Sequence, residues 1–198
     1  MSFLETPTSP RDPMVLAAYG ELEEQSDCFF AAITRAHRVR IVFTRCQRPY
    51  SSDNEMIGAV RSERVLEVTA ACVDTDRRHP ILASDFAGPY DRFRAVHDVA
   101  GHVRLGTGFD QQGEYTTWRA QDRQYHGLAR RALATELHAE ISVLSLTREL
   151  AEHKALLLDP CLLSRARRGM CVPLPDAPVL APRMVDHIAR SDRRRQGD

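Results

Sequence analysis

From Leu128 to Leu158 the chain runs without a proline or glycine, and Pro160 stops it. Leu133, Leu137, Ile141 and Leu144 form one stripe at helical spacing, and Ala129, Ala132, Ala139, Val143, Leu146 and Leu150 fill much of the remaining surface. A helix this apolar must be covered on several sides, which asks for other helices around it. Yet Glu136, His138 and Glu140 sit in its most apolar part. Desolvating a carboxylate without a partner costs several kcal/mol, so a cation, an arginine or an imidazole has to meet them.

The rest of the chain supplies those neighbours. At 198 residues it suits one domain. Residues 1–12 hold Pro7 and Pro10 among serines and threonines and read as a flexible lead-in. Asp12-Pro13 is a helix start, and Val15, Leu16, Tyr19 and Leu22 continue it; Gly20 and Ser26-Asp27 weaken the pattern, so one bent helix or two consecutive ones are expected up to Arg38. Val39–Thr44 and Val65–Thr69 read as strands, joined by a helix from Asp53 to Arg64 with Asp53 as its N-cap. A long connection over 72–90 precedes a helix from Tyr90 to Val103. Gly106, Gly108 and Gly113 then predict a turn before a helix from Glu114 to Tyr125. Beyond Pro160 come a short helical piece, a loop with Pro173, Pro175, Pro178 and Pro182, and a last helix near Met184 to Arg190. The expected fold is mainly α: one compact helical domain over 13–190 with a small two-stranded β element in its N-terminal half, then a basic flexible tail over 191–198.

Composition excludes several functions. Lys plus Arg and Asp plus Glu both number 27, so no global positive field recommends nucleic acid; the basic clusters Arg165–Arg168 and Arg190–Arg195 are local. No apolar run is long enough to span a membrane, and the N-terminal residues lack a leader pattern, so a cytoplasmic protein is expected. The five cysteines are odd in number and widely spaced, which suggests neither a disulfide framework nor a zinc knuckle. There is no G-x-G-x-x-G or G-x-x-x-x-G-K-[ST] phosphate loop and no G-x-S-x-G elbow.

Chemistry concentrates in Phe93-Arg94-Ala95-Val96-His97-Asp98-Val99-Ala100-Gly101-His102-Val103. Two histidines five apart point about 140° away from each other on an ideal α-helix. They converge only if the helix ends or distorts, for which Gly101 stands directly before His102. That spacing argues against a plain HExxH zinc site, although Asp98 occupies the slot of its general base. The expected metal ligands are His97, His102 and Glu136. Asp98 is expected to orient an imidazole or handle a proton, with Glu114 and Glu140 as further carboxylates. The competing reading is packing alone, with Glu136 paired to Arg94 or Arg131.

His97-Asp98-Val99-Ala100-Gly101-His102-Val103 resembles the His-Glu-x-x-Gly-His-Val segment of the pterin-dependent aromatic amino acid hydroxylases. There, two histidines and a glutamate from a following helix form an iron facial triad; by position that glutamate is Glu136. No segment before the motif resembles that family's pterin loop, which argues against pterin use. The chain resembles more closely a family of phage and actinobacterial proteins with Phe-Arg-x-Val-His-Asp-x-x-Gly-His, a Gly-Glu pair before an aromatic, and Thr-Glu. These are Phe93 to His102, Gly113-Glu114 with Trp118, and Thr135-Glu136 here; Glu140 stands where many of those proteins carry glutamine. The second resemblance implies shared architecture.

Two histidines and one carboxylate with open positions are the geometry of non-haem iron(II) and oxygen chemistry. The expected function is therefore an iron-dependent oxygenase using dioxygen on a small, aromatic or amino-acid-like substrate. The alternatives are a zinc-dependent hydrolase on the same ligands, a di-iron carboxylate enzyme that adds Glu114 and Glu140, and a non-catalytic helical binding protein.

Overall fold

The computed structural model describes residues 7–71, 79–82, 86–139 and 154–169. Helix α1 spans Pro13–Ala31, and Asp12 caps it by accepting from the amides of Met14 and Val15 at 2.8 and 3.2 Å. The expected bend at Ser26 does not interrupt it. The Ser26 hydroxyl donates to the Leu22 carbonyl at 2.6 Å and meets the Tyr125 hydroxyl at 3.0 Å, so its polar group is satisfied inside the helix. The helix widens into a π-helical turn over Ala32–Ala36.

Strand β1, Arg40–Thr44, pairs in parallel with β2, Val65–Thr69, in the register Arg40 to Val65 through Thr44 to Thr69. A parallel pair needs a crossover, and helix α2, Asp53–Glu63, supplies it with Met56, Ile57 and Val60 buried. Its N-cap is Ser52, whose hydroxyl accepts from the Glu55 amide at 3.2 Å, so Asp53 is the first helical residue rather than the cap.

Helix α3, Pro89–Val96, runs directly into a π-helical segment, His97–Val103. Helix α4, Gln111–Asp122, starts on Asp110, whose carboxylate accepts from the Gly113 amide at 2.7 Å. Gly113 is thus inside the first turn of α4 and not in the preceding loop. A Cβ there would run into the Gly108 carbonyl, so the glycine allows the helix start to close against its own lead-in.

The long helix expected from Leu128 to Leu158 is not what forms. Helix α5, Ala129–Leu133, continues as a π-helical segment over Ala134–Ala139, and residues 140–153 lie outside the described residues. Residues 154–159 are not helical. They return alongside α5, where the Leu156 carbonyl accepts from the Thr135 hydroxyl at 2.9 Å and the Leu158 carbonyl from Arg131 at 3.1 Å. The Ala155 carbonyl takes the Ser9 amide at 2.7 Å. A short apolar run need not be a helix to be buried, and here Ala155, Leu156 and Leu158 are buried without regular secondary structure. Helix α6, Pro160–Arg167, completes the described chain. The proline loop, the helix expected near Met184 to Arg190 and the tail over 191–198 fall outside the described residues, as does Glu140.

The architecture is mainly α with one small parallel sheet in the N-terminal half. Two apolar clusters flank α3. One gathers Tyr19, Leu22, Phe93, Trp118 and Leu133 with the returning segment; the other joins the sheet and α2 to Val96, Val99 and Val103. His97 and His102 sit on the segment that continues α3 and sends Val99 and Val103 into the second cluster.

Candidate metal centre

The π-helical segment solves the spacing problem of the two histidines. Its i to i+5 hydrogen bonding places residues five apart on one face, so His97 and His102 turn their Nε2 atoms toward each other at 3.0 Å with rings nearly perpendicular, at 88°. Gly101 contributes by packing: a Cβ on it would overlap Thr117 Cγ2 on α4. With no side chain in the way, α4 comes close enough for Glu114, one turn before Thr117, to reach the histidine pair. Glu114 Oε2 lies 3.3 Å from His97 Nε2 and 3.5 Å from His102 Nε2. Among the described residues, this is the one group of three such side chains whose ligand atoms all lie within 4.8 Å of one another.

Both imidazoles are held from behind. His102 Nδ1 donates to the Thr107 carbonyl at 3.1 Å, and His97 Nδ1 donates to Gln121 Oε1 at 2.9 Å. Each ring therefore carries its neutral-state hydrogen on Nδ1 and presents an Nε2 lone pair forward. Two lone pairs and a carboxylate oxygen then converge on one point. Three acceptors cannot satisfy one another, so the arrangement calls for a cation, either a proton or a metal ion.

The electrostatics agree. Burial works to lower the His102 imidazole, but the hydrogen bond and charge of Glu114, with help from Asp98 and the Thr107 carbonyl, raise it above its usual value. Burial works to raise Glu114, and its bonds to His102 and His97 instead hold it down at about 2. Glu114 is consequently an anion at any physiological pH. Phe109 covers the His102 ring edge-on at a centroid distance of 4.7 Å, and Arg94, Asp98, Glu67 and Tyr50 line the adjoining cavity.

Of the expected ligands, His97 and His102 come together and Glu136 does not join them. The place expected for Glu136 is taken by Glu114, foreseen only as an additional carboxylate. Glu136 is fully buried elsewhere: its Oε1 accepts from the Tyr19 hydroxyl and lies 3.2 Å from His79 Nε2. The arginines weighed as its partners are engaged otherwise, Arg94 with the Thr69 carbonyl and Arg131 with the Leu158 carbonyl. Asp98 is half-buried at the cavity wall and hydrogen-bonds neither imidazole; Gln121 and the Thr107 carbonyl do the orienting expected of it. A carbonyl leaves no trace in a sequence. Gln121 carries a weak one, since it lies seven residues after Glu114 and so on the same face of α4.

Comparison with protein-family models, curated proteins and solved structures finds no match for this chain.

His138, the polar residue between Glu136 and Glu140 in the apolar stretch, stacks on Trp118 at 4.2 Å and 12°. Burial, aided by Arg119, lowers its imidazole to about 4, so it is a neutral aromatic wall at neutral pH.

Proposed function

We propose that the chain is a non-haem iron(II) oxygenase acting on a small molecule, with the metal held by His97 Nε2, His102 Nε2 and Glu114. The observation that carries this reading is the pair of occupied Nδ1 atoms, which turns two buried imidazoles into forward-facing ligands beside an ionised carboxylate. A two-histidine, one-carboxylate set leaves positions for dioxygen and substrate, and activating dioxygen is the chemistry that iron(II) would supply there. The chain's own residues do the rest. Gln121 and the Thr107 backbone fix ring orientation, Phe109 shields His102 from water, and Asp98, on the cavity wall, is placed to exchange a proton with a bound reactant. A single metal is favoured because one convergent set is found among the described residues, and Glu136 is engaged with Tyr19 and His79.

A second reading, a zinc-dependent hydrolase on the same ligands, draws on the two carboxylates at the cavity wall, Asp98 and Glu67, either of which could take a proton from bound water. Metal analysis of protein purified without a chelating tag separates the two. The oxygenase reading expects about one iron(II) per chain after anaerobic reconstitution and substrate-dependent oxygen uptake. Stoichiometric zinc that iron(II) cannot replace favours the hydrolase, and protein that takes up neither metal refutes both.

A further inference from the structure

Arg94 lies on the last turn of α3, one turn before His97. It is only 5% exposed, yet its side chain is part of the cavity wall beside the histidine pair. Burying a guanidinium costs several kcal/mol unless a carboxylate accompanies it. Among the described residues no carboxylate forms an ion pair with Arg94, and its one hydrogen bond runs from Nη1 to the Thr69 carbonyl at 2.6 Å. Asp91, one turn earlier, is committed elsewhere: Oδ1 accepts from the Ala71 amide at 2.7 Å and Oδ2 from the Ala87 amide at 2.9 Å. Its charge reaches Arg94 only through space. The guanidinium is thus fixed at one nitrogen, and it is the one arginine or lysine in a cavity that also contains His97, His102, Glu67, Asp98 and Glu114.

We propose that Arg94 recognises the carboxylate of a small organic acid bound in this cavity, with the apolar remainder of the acid against Tyr50, Met56 and Phe109. The inference rests on the cavity being the substrate chamber of the metal centre. The planar fork of a guanidinium matches two coplanar carboxylate oxygens. A monoanion also suits the surroundings better than a phosphate, because three protein carboxylates line the same space and repel a dianion more strongly. Arg94 is a binding and specificity residue in this scheme, distinct from the three ligands.

The test is calorimetric titration of benzoate, benzamide and inorganic phosphate into wild-type protein, both cobalt(II)-loaded and metal-free, and into Arg94→Gln and Arg94→Lys. Wild-type protein should bind benzoate at least about tenfold more tightly than benzamide in both forms, since a site built for a charged group rejects its neutral analogue. Arg94→Gln should lose that preference while keeping cobalt stoichiometry, and Arg94→Lys should recover part of it. Equal binding of benzoate and benzamide by the wild type, tighter binding of phosphate than benzoate, or a preference that survives in Arg94→Gln each overturns the assignment. If Arg94→Gln does not fold, the wild-type comparison decides alone. Absence of cobalt uptake is a separate readout: it refutes the metal reading, while benzoate selectivity in the metal-free protein still reports on Arg94.

Discussion

Thr117 occupies the space in which a side chain on Gly101 would lie. This contact between the π-helical segment and α4 sets how closely Glu114 approaches the histidines. Gly101→Ala should therefore destabilise the protein by about 1–3 kcal/mol, the usual result of forcing a methyl group into a packed interface, and weaken metal binding with it. Adding Thr117→Ser removes the opposing methyl and should restore most of both. Denaturant melts and metal titration of the single and double variants check this; a double variant no better than Gly101→Ala would refute the contact as the cause.

His97→Ala, His102→Ala and Glu114→Gln should each lose stoichiometric metal while the far-ultraviolet circular dichroism persists, because each removes one of three convergent donors. Stoichiometric metal in any of the three would show that the set is wrong. Glu136→Gln is the contrasting variant, expected to retain the metal and to lose stability, since it replaces an oxygen of a buried carboxyl group bonded to Tyr19 and placed beside His79. Metal loss in Glu136→Gln would restore the ligand set expected from the hydroxylase motif.

Gln121→Leu should lower metal affinity roughly 10 to 100-fold without abolishing binding, the size of effect seen when a histidine ligand loses its rear partner. Asp98→Asn should leave affinity nearly unchanged and lower turnover instead. Competition with a chromogenic chelator measures the first, and oxygen uptake the second. A reversed pattern would return the orienting role to Asp98.

His138 gives the protein a pH dependence of known sign. Its folded-state value of about 4 lies below the unfolded value near 6.5, so between these limits the unfolded chain binds the extra proton. Stability should fall as pH drops from about 6.5 to about 4, and level off below for this group. His138→Phe, which keeps an aromatic ring on Trp118, should flatten that part of the profile in urea melts across the range. An unchanged slope would assign the acid sensitivity to other groups.

Acid sensitivity of a second kind belongs to Asp122. Burial raises its carboxyl, but Arg130 and Arg167, bonded to it at 2.6 to 3.2 Å, hold it below the usual value. Its contribution is complete above about pH 4 and is lost as pH falls through the depressed folded value. Asp122→Asn should cost about 1–2 kcal/mol at pH 7, less than a fully buried pair because Arg130 and Arg167 are partly exposed, and should loosen α6 from α4. Thermal melts at pH 7 check the loss, and a change below about 1 kcal/mol would refute it.

The helical character, the strand pair and the convergence of His97 with His102 were all legible in the residues, because each rests on local patterns: caps, β-branched runs, and a glycine at a spacing an α-helix does not support. The third member of the cluster was not legible. Glu114 and Glu136 are both acids on helices that follow the motif, and choosing between them requires knowing which helix touches Gly101, a tertiary fact. The apolar residues after 153 misled for a related reason, since their spacing suits a helix while the hydrogen bonds that hold them come from Ser9, Arg131 and Thr135, distant in sequence. Arg94 was visible only as a possible partner for Glu136.

The π-helical stretch over His97–Val103 also makes the centre a matter of counting. An α-helix would align histidines four apart; this one holds them five apart by carrying one more residue per turn. Deleting Val99 or Ala100 would leave the histidines four apart, so the pair would keep one face only if the π-helical turn reverted to α-helix. If the segment kept its wide turns instead, His102 and each later residue on that helix would fall back by one position, and His102 would leave the face it shares with His97. Chain length between the two histidines is therefore as much a part of this centre as the identity of its donors, and a change in it reaches the site through the backbone.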